Sequence, residues 1–116
     1  MNLINHAIKQ ALRSDCRHKL GAVVASGGRV LSSAPNRRRN SPSIDFRNAT
    51  FHAEEAALRR LRDAANATVY VARVDNRGVT RLARPCLRCQ VMLLQAGVRR
   101  AYFTVSPTEI DLLDFR

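Results

Sequence analysis

Along residues 3–13 apolar side chains recur at helical spacing. Leu3, Ile4, Ala7, Ile8, Ala11 and Leu12 share one side, with polar residues between them. This predicts an opening amphipathic helix. The pattern then changes. Residues 20–25 form a short unbroken apolar run that stops at Ser26-Gly27-Gly28, and Arg29-Val30-Leu31-Ser32-Ser33 follows. Together they read as a β-hairpin closed by a glycine turn. A polar stretch runs from Pro35 to about Ala49, after which Ala53, Ala56, Ala57 and Leu61 restore one helical face. A second helix is expected from Ala53 to Ala64. Residues 68–74 are β-branched and apolar and are bounded by Asp75-Asn76-Arg77-Gly78, a strand followed by a turn. A third helix is expected from Cys86 to Gln95, stopped by Gly97. Residues 100–105 read as a last strand, and Ser106-Pro107-Thr108-Glu109 resembles the cap of one short helix.

Strands separated by single helices must be parallel neighbours or nearly so, with the helices covering the sheet's faces. The expected architecture is therefore α/β, a three-layer α/β/α sandwich on a mixed sheet. A length of 116 residues suits a single domain over residues 1–116. The hydrophobic fraction of 46% permits one buried core, but aromatics are 5% and tryptophan is absent, so Ala, Val, Leu and Ile must build it. No apolar stretch approaches bilayer-spanning length, and Met1 to His6 is too polar for a signal peptide. A cytoplasmic protein without a membrane partner is expected.

Charge bears on the substrate rather than the fold. The formal net charge of +11, carried by 18 Arg and 2 Lys against 9 acidic residues, attracts polyanions or phosphorylated small molecules. An Arg- and Ala-rich coding bias would produce part of the same excess. Three cysteines are too few, and odd in number, for a disulfide framework. In a reducing compartment Cys86 and Cys89 suggest metal binding or redox chemistry instead.

Two segments carry the candidate chemistry, His52-Ala53-Glu54 and Pro85-Cys86-Leu87-Arg88-Cys89. Each falls at the expected start of a helix, where unpaired N–H groups and partial positive charge favour thiolates. Cys86 and Cys89 are one turn apart, so both sulfurs can point at one ion. His52 with two cysteines leaves a tetrahedral zinc one open position, as a catalytic site needs and a structural site does not. Glu54 is badly spaced to share the metal with His52, but it can lean over the open position and move protons. Zinc makes bound water acidic enough to attack an electron-poor ring carbon.

With both motifs in place, the sequence resembles the zinc-dependent cytidine/deoxycytidylate deaminase superfamily, which includes the tRNA adenosine deaminases. The resemblance runs from about Ser14 to Thr104 and looks nearest to the deoxycytidylate branch. Cys16-Arg17-His18-Lys19-Leu20-Gly21-Ala22-Val23-Val24, Gly28-Arg29-Val30-Leu31 and Asn36 carry that likeness. It implies a cytidine deaminase-like fold, one catalytic Zn2+ and hydrolytic deamination of cytosine. It further implies that Asn36 hydrogen-bonds the sugar, that the backbone of Ala53 contacts the base, and that Arg84 and Pro85 lie at the substrate. Arg84 departs from the Ser, Thr or Glu that relatives usually carry there. The 12 residues after Thr104 are too few for the further helix, strand and helix of many relatives. A C-terminally truncated form of the fold is thus expected, lacking its last strand, with an exposed sheet edge or apolar face that would favour a homo-oligomer.

Three substrate readings stay open at this stage. The first is a free cytosine nucleoside or nucleotide, deoxycytidylate-like, its phosphate held by arginines near the site. The second is cytosine, or less readily adenine, within single-stranded DNA or RNA. There Arg37, Arg38, Arg39 and Arg47 would follow the backbone while Phe46 or Phe51 stacks on a base. A solvated loop is the plain alternative for those arginines. The third is a zinc-stabilised binding module without catalysis, against which the intact Glu54 argues. Cys16 reads as a small buried hydrophobe, and His6 and His18 as surface or structural residues.

Overall fold

In the computed structural model, which describes residues 3–38, 50–51, 53–59, 61 and 63–115, the apolar run at the start of the hairpin is the strand buried on both faces. This strand, β1 (Lys19–Ser26), pairs antiparallel with β2 (Arg29–Pro35) through the Gly27-Gly28 turn, where both glycines have positive φ. On its other side β1 pairs antiparallel with β5 (Thr68–Val74), which pairs in parallel with β7 (Arg100–Thr104). The sheet runs β2-β1-β5-β7-β8, where β8 is Ile110–Asp114, with β6 (Thr80–Arg81) paired to the far end of β5. Two short strands, β3 (Arg37–Arg38) and β4 (Thr50–Phe51), form a separate ladder.

Alternation along β1 divides the core into two layers. Val23 meets Ala7 of α1 (Leu3–Leu12) and Ala72 on one face of the sheet. Ala22 and Val24 face the other way, into a larger core with Val69, Val71, Phe103, Ala57 of α2 (Ala53–Leu58) and Leu93 of α3 (Leu87–Gln95). A strand covered on both faces must be apolar throughout, which is why residues 20–25 do not alternate. The result is the expected three-layer α/β/α sandwich on a mixed sheet. Its core is built from alanines and valines, as the scarcity of aromatics requires.

Small residues set how closely the layers approach. A Cβ at Gly21 would lie 2.3 Å from the backbone of both Ala7 and Ala11, so α1 rests directly on β1 there. Beyond α3, Gly97 takes φ 86°, a left-handed conformation that ends the helix, as expected.

Two elements differ from their expected form. The second helix stops at Leu58 rather than Ala64. Past it, the Asp63 carboxylate accepts from the Ala65 N–H, Asn66 takes a left-handed φ, and its N–H bonds to Gly97 O at 2.7 Å. These bonds hold the segment against the α3 exit in non-helical form. The segment after Ser106 is a tight turn into a strand, β8 (Ile110–Asp114), and not a short helix. Val105 N–H bonds to Glu109 O, and β8 then pairs antiparallel along all of β7. The sheet therefore has a strand after β7 that the sequence reading left out. No helix among the described residues is long and apolar enough to cross a membrane.

Candidate active site

The ends of α2 and α3 bring the two sequence motifs together. Glu54 is in the first turn of α2 and only 2% exposed. Cys86 caps the N-terminus of α3 in an extended conformation without using its side chain as the cap, and Cys89 lies one turn in, fully buried. The Cys89 thiol hydrogen-bonds with both Cys86 and Glu54. Burial first, then the charges of Glu54 and Cys86, push this thiol far above the ordinary cysteine range.

That electrostatic cost bears on what the site can hold. Two sulfurs and a carboxylate crowded at a helix start, with Cys89 and Glu54 buried, repel one another when ionised, and a soft divalent cation between them removes the repulsion. The donor set present, two cysteine sulfurs one turn apart, fits zinc. None of the three cysteines is in a disulfide. His52, the third expected ligand, lies outside the described residues, as do Arg39, Phe46 and Arg47. Arg37 and Arg38 are described as the backbone of β3 only.

Above Glu54 opens a cavity of about 360 Å³, within the range of small-molecule sites. Ala53, Pro85, Arg84, Cys86 and Asn36 all line it, so the expected substrate contacts converge on one space. Gln90 holds the Pro85 turn by donating from Nε2 to Pro85 O at 2.8 Å.

Asn36 is buried and firmly tied. Its Oδ1 accepts from the Ser14 hydroxyl and from Leu20 N–H, and its Nδ2 donates to His18 O at 2.7 Å. One amide hydrogen of Nδ2 remains for another acceptor.

The structure also brings in residues that sequence reasoning did not assign. Arg17, His18 and Arg73 line the same cavity, and Arg73 Nη2 lies 2.9 Å from His18 Nδ1. Cys16 is buried as expected, yet it too borders the cavity. A cavity-facing role for Arg73 was signalled only by an arginine interrupting an otherwise apolar strand.

Comparison with known proteins bears on the family and the fold. The family model described as "Cytidine and deoxycytidylate deaminase zinc-binding region" matches residues 1–105. Among solved structures, dCMP deaminase from the cyanophage S-TIM5 in apo form is similar with a TM-score of 0.68 at 23% identity, over 88% of this chain and 79% of that one. Its complex with dCMP and dUMP gives 0.67 at 23% identity, over 86% and 76%. Cytidine deaminase from Burkholderia pseudomallei gives 0.74 at 17% identity, over 97% and 90%. At such identities the likeness establishes the fold. None of the curated proteins compared with the chain matches it.

Proposed function

This chain belongs to the cytidine and deoxycytidylate deaminase family, and on that premise we propose that it hydrolyses the exocyclic amine of a cytosine nucleoside or nucleotide, giving uracil and ammonia. The observation that carries this reading is Glu54, buried beneath the cavity and bonded to Cys89. In this reading His52, Cys86 and Cys89 hold one zinc ion. When bound, the metal supplies a Lewis acid that makes water nucleophilic near neutral pH.

The chain's own groups do the rest. Glu54 takes one proton from the attacking water and delivers it to the ring nitrogen, then takes the second from the hydroxyl now on the ring carbon and gives it to the amine, which leaves as ammonia as the carbonyl forms. Its burial keeps competing solvent away from that transfer. The Ala53 backbone contacts the base, and the remaining Asn36 N–H donates to the sugar. Arg84 and Pro85 close the side from which ammonia departs.

Polynucleotide deamination has weaker support. It rests on Arg37, Arg38, Arg39, Phe46 and Arg47, of which Arg39, Phe46 and Arg47 lie outside the described residues. A non-catalytic zinc module leaves the buried Glu54 without a task. The reading also includes a reducing cytoplasmic setting, in keeping with three cysteines outside disulfides. It includes self-association too, in keeping with exposed Leu87, Val91 and Leu94 on α3.

The decisive experiment is Glu54→Gln. It should keep the fold and bound zinc while lowering turnover of cytosine nucleosides and nucleotides by about 10²–10⁴-fold. Undiminished turnover in that variant would refute the role given to Glu54.

A further inference from the structure

The last strand of the sheet is paired on one side. Val105 N–H bonds to Glu109 O and Phe115 N–H to Arg99 O, so the odd-numbered residues from Glu109 to Phe115 turn their backbone groups toward β7. By the alternation of an antiparallel ladder, Ile110 and Leu112 turn theirs outward. Among the described residues no strand pairs with that outer side of β8. The Leu112 N–H instead donates to the Asp111 carboxylate at 2.8 Å.

The two faces of this edge differ in chemistry. Leu112 is in register with Tyr102, and Tyr102 with Tyr70, which packs on the α1 layer. Ile110 and Leu112 therefore stand on the α1 side, 51% and 39% exposed. The two tyrosine rings stack with centroids 5.3 Å apart, and with Ile4 they wall a trough of about 400 Å³ beside Ile110 and Leu112. Glu109 and Asp111 fall on the opposite face, that of Leu113 and Phe115, which pack on the larger core. Asp111 leans over the edge to the Leu112 N–H and so also borders the trough. Charge sharpens the contrast. On a chain of net charge +11, residues 101–115 contain no Lys or Arg and three carboxylates. Asp114 has Arg100 at 4.0 Å, whereas among the described residues no cation pairs with Glu109 or Asp111.

We propose that the outer edge of β8 docks an extended basic peptide of a partner protein, in which cationic and apolar side chains alternate, as one further strand of the sheet. The peptide backbone bonds to Ile110 and Leu112, its apolar side chains enter the trough, and its cations meet Glu109 and Asp111. A cation that draws the Asp111 carboxylate off the Leu112 N–H frees that donor for the new ladder. Charge recognition and strand pairing are thereby coupled. A neutral or acidic strand leaves the carboxylate in place, which guards the edge against indiscriminate pairing. The β8 of a second copy would bring its own carboxylates to the same edge, an unfavourable match. The trough shares no lining residue with the cavity above Glu54, so docking is separable from the reaction.

The test uses the whole zinc-loaded chain and a fluorescein-labelled peptide of alternating lysine and valine, about seven residues long to span β8. Anisotropy should show saturable binding, and the Ile110 and Leu112 amides should exchange more slowly with the peptide present. A peptide of the same composition, with its lysines and valines in two blocks, should bind at least about tenfold more weakly. Asp111→Lys should weaken binding of the alternating peptide by at least about tenfold. Glu109→Lys, at an exposed turn position, makes the same measurement should Asp111→Lys not fold. No binding at about 1 mM peptide, equal binding of the block peptide, or an affinity that neither variant moves overturns the proposal. Slowed exchange at these amides that grows with protein concentration in the absence of peptide overturns it in favour of a second copy.

Discussion

Arg88 reaches the Glu55 carboxylate at 2.8 Å and so joins the first turns of α3 and α2. Arg88 lies between Cys86 and Cys89, and Glu55 follows Glu54, so the ion pair ties together the two halves of the proposed metal site. The guanidinium is half exposed, which limits its contribution to global stability to under about 1 kcal/mol. Its effect should be local. Arg88→Ala is expected to shift the denaturant midpoint slightly while hastening zinc loss to a chelator several-fold. Unchanged chelation kinetics would show that the pair does not hold the halves together.

The two cysteines differ in exposure, and their variants should differ too. Cys86→Ser and Cys89→Ser are both expected to lose zinc, read as metal content by elemental analysis. Cys89→Ser also places a hydroxyl in a fully buried position, adding a cost of about 1–3 kcal/mol to the apoprotein. Cys86 is exposed, so its replacement should leave apoprotein stability nearly unchanged. Full metal content in either variant would contradict the ligand set.

Gly21→Ala probes the contact between the first helix and the sheet. The added methyl would lie 2.3 Å from backbone atoms of Ala7 and Ala11, which cannot rotate away. A loss of at least about 3 kcal/mol is expected in chemical denaturation, at the upper end for overpacking. A loss below about 1 kcal/mol would mean that α1 moves off β1 easily.

Asp75 gives a pH-dependent prediction. The Val79 N–H chiefly, with the Arg77 N–H and the Arg81 side chain, holds its carboxyl below the ordinary aspartate value. A lowered folded value stabilises the protein above about pH 4 and is lost as pH falls through that carboxyl's titration. Asp75→Asn should therefore be less stable than the parent at pH 7, with the two melting temperatures converging toward pH 3. A gap that does not narrow would assign the effect to the turn alone.

Much of the fold was legible in the residues because its elements are locally determined. The hairpin has its glycine turn, the first and third helices have their periodicity, and β5 has its β-branched run. The segment after Ser106 was misread for a clear reason. Ser106 Oγ does accept from Thr108 N–H, as an N-cap would, but the next residues are placed by pairing with β7, which is a long-range interaction. Leu113 and Phe115, two apart, both pack on the core, and that is strand spacing. The same distinction applies to the site. Glu54, Cys86 and Cys89 stood out by motif spacing. Arg73 and His18 did not, since their meeting depends on β1 pairing with β5 in the register that sets Leu20 opposite Arg73.

The amide of Asn36 has a consequence for recognition. Ser14, His18 and Leu20 fix its rotamer when the chain folds. An acceptor arriving at its remaining hydrogen meets a donor already aimed, with no side-chain freedom left to lose on association. Its contribution to affinity should thus be enthalpic, and loosening any one tether would appear as an entropic penalty in calorimetry rather than as a lost contact.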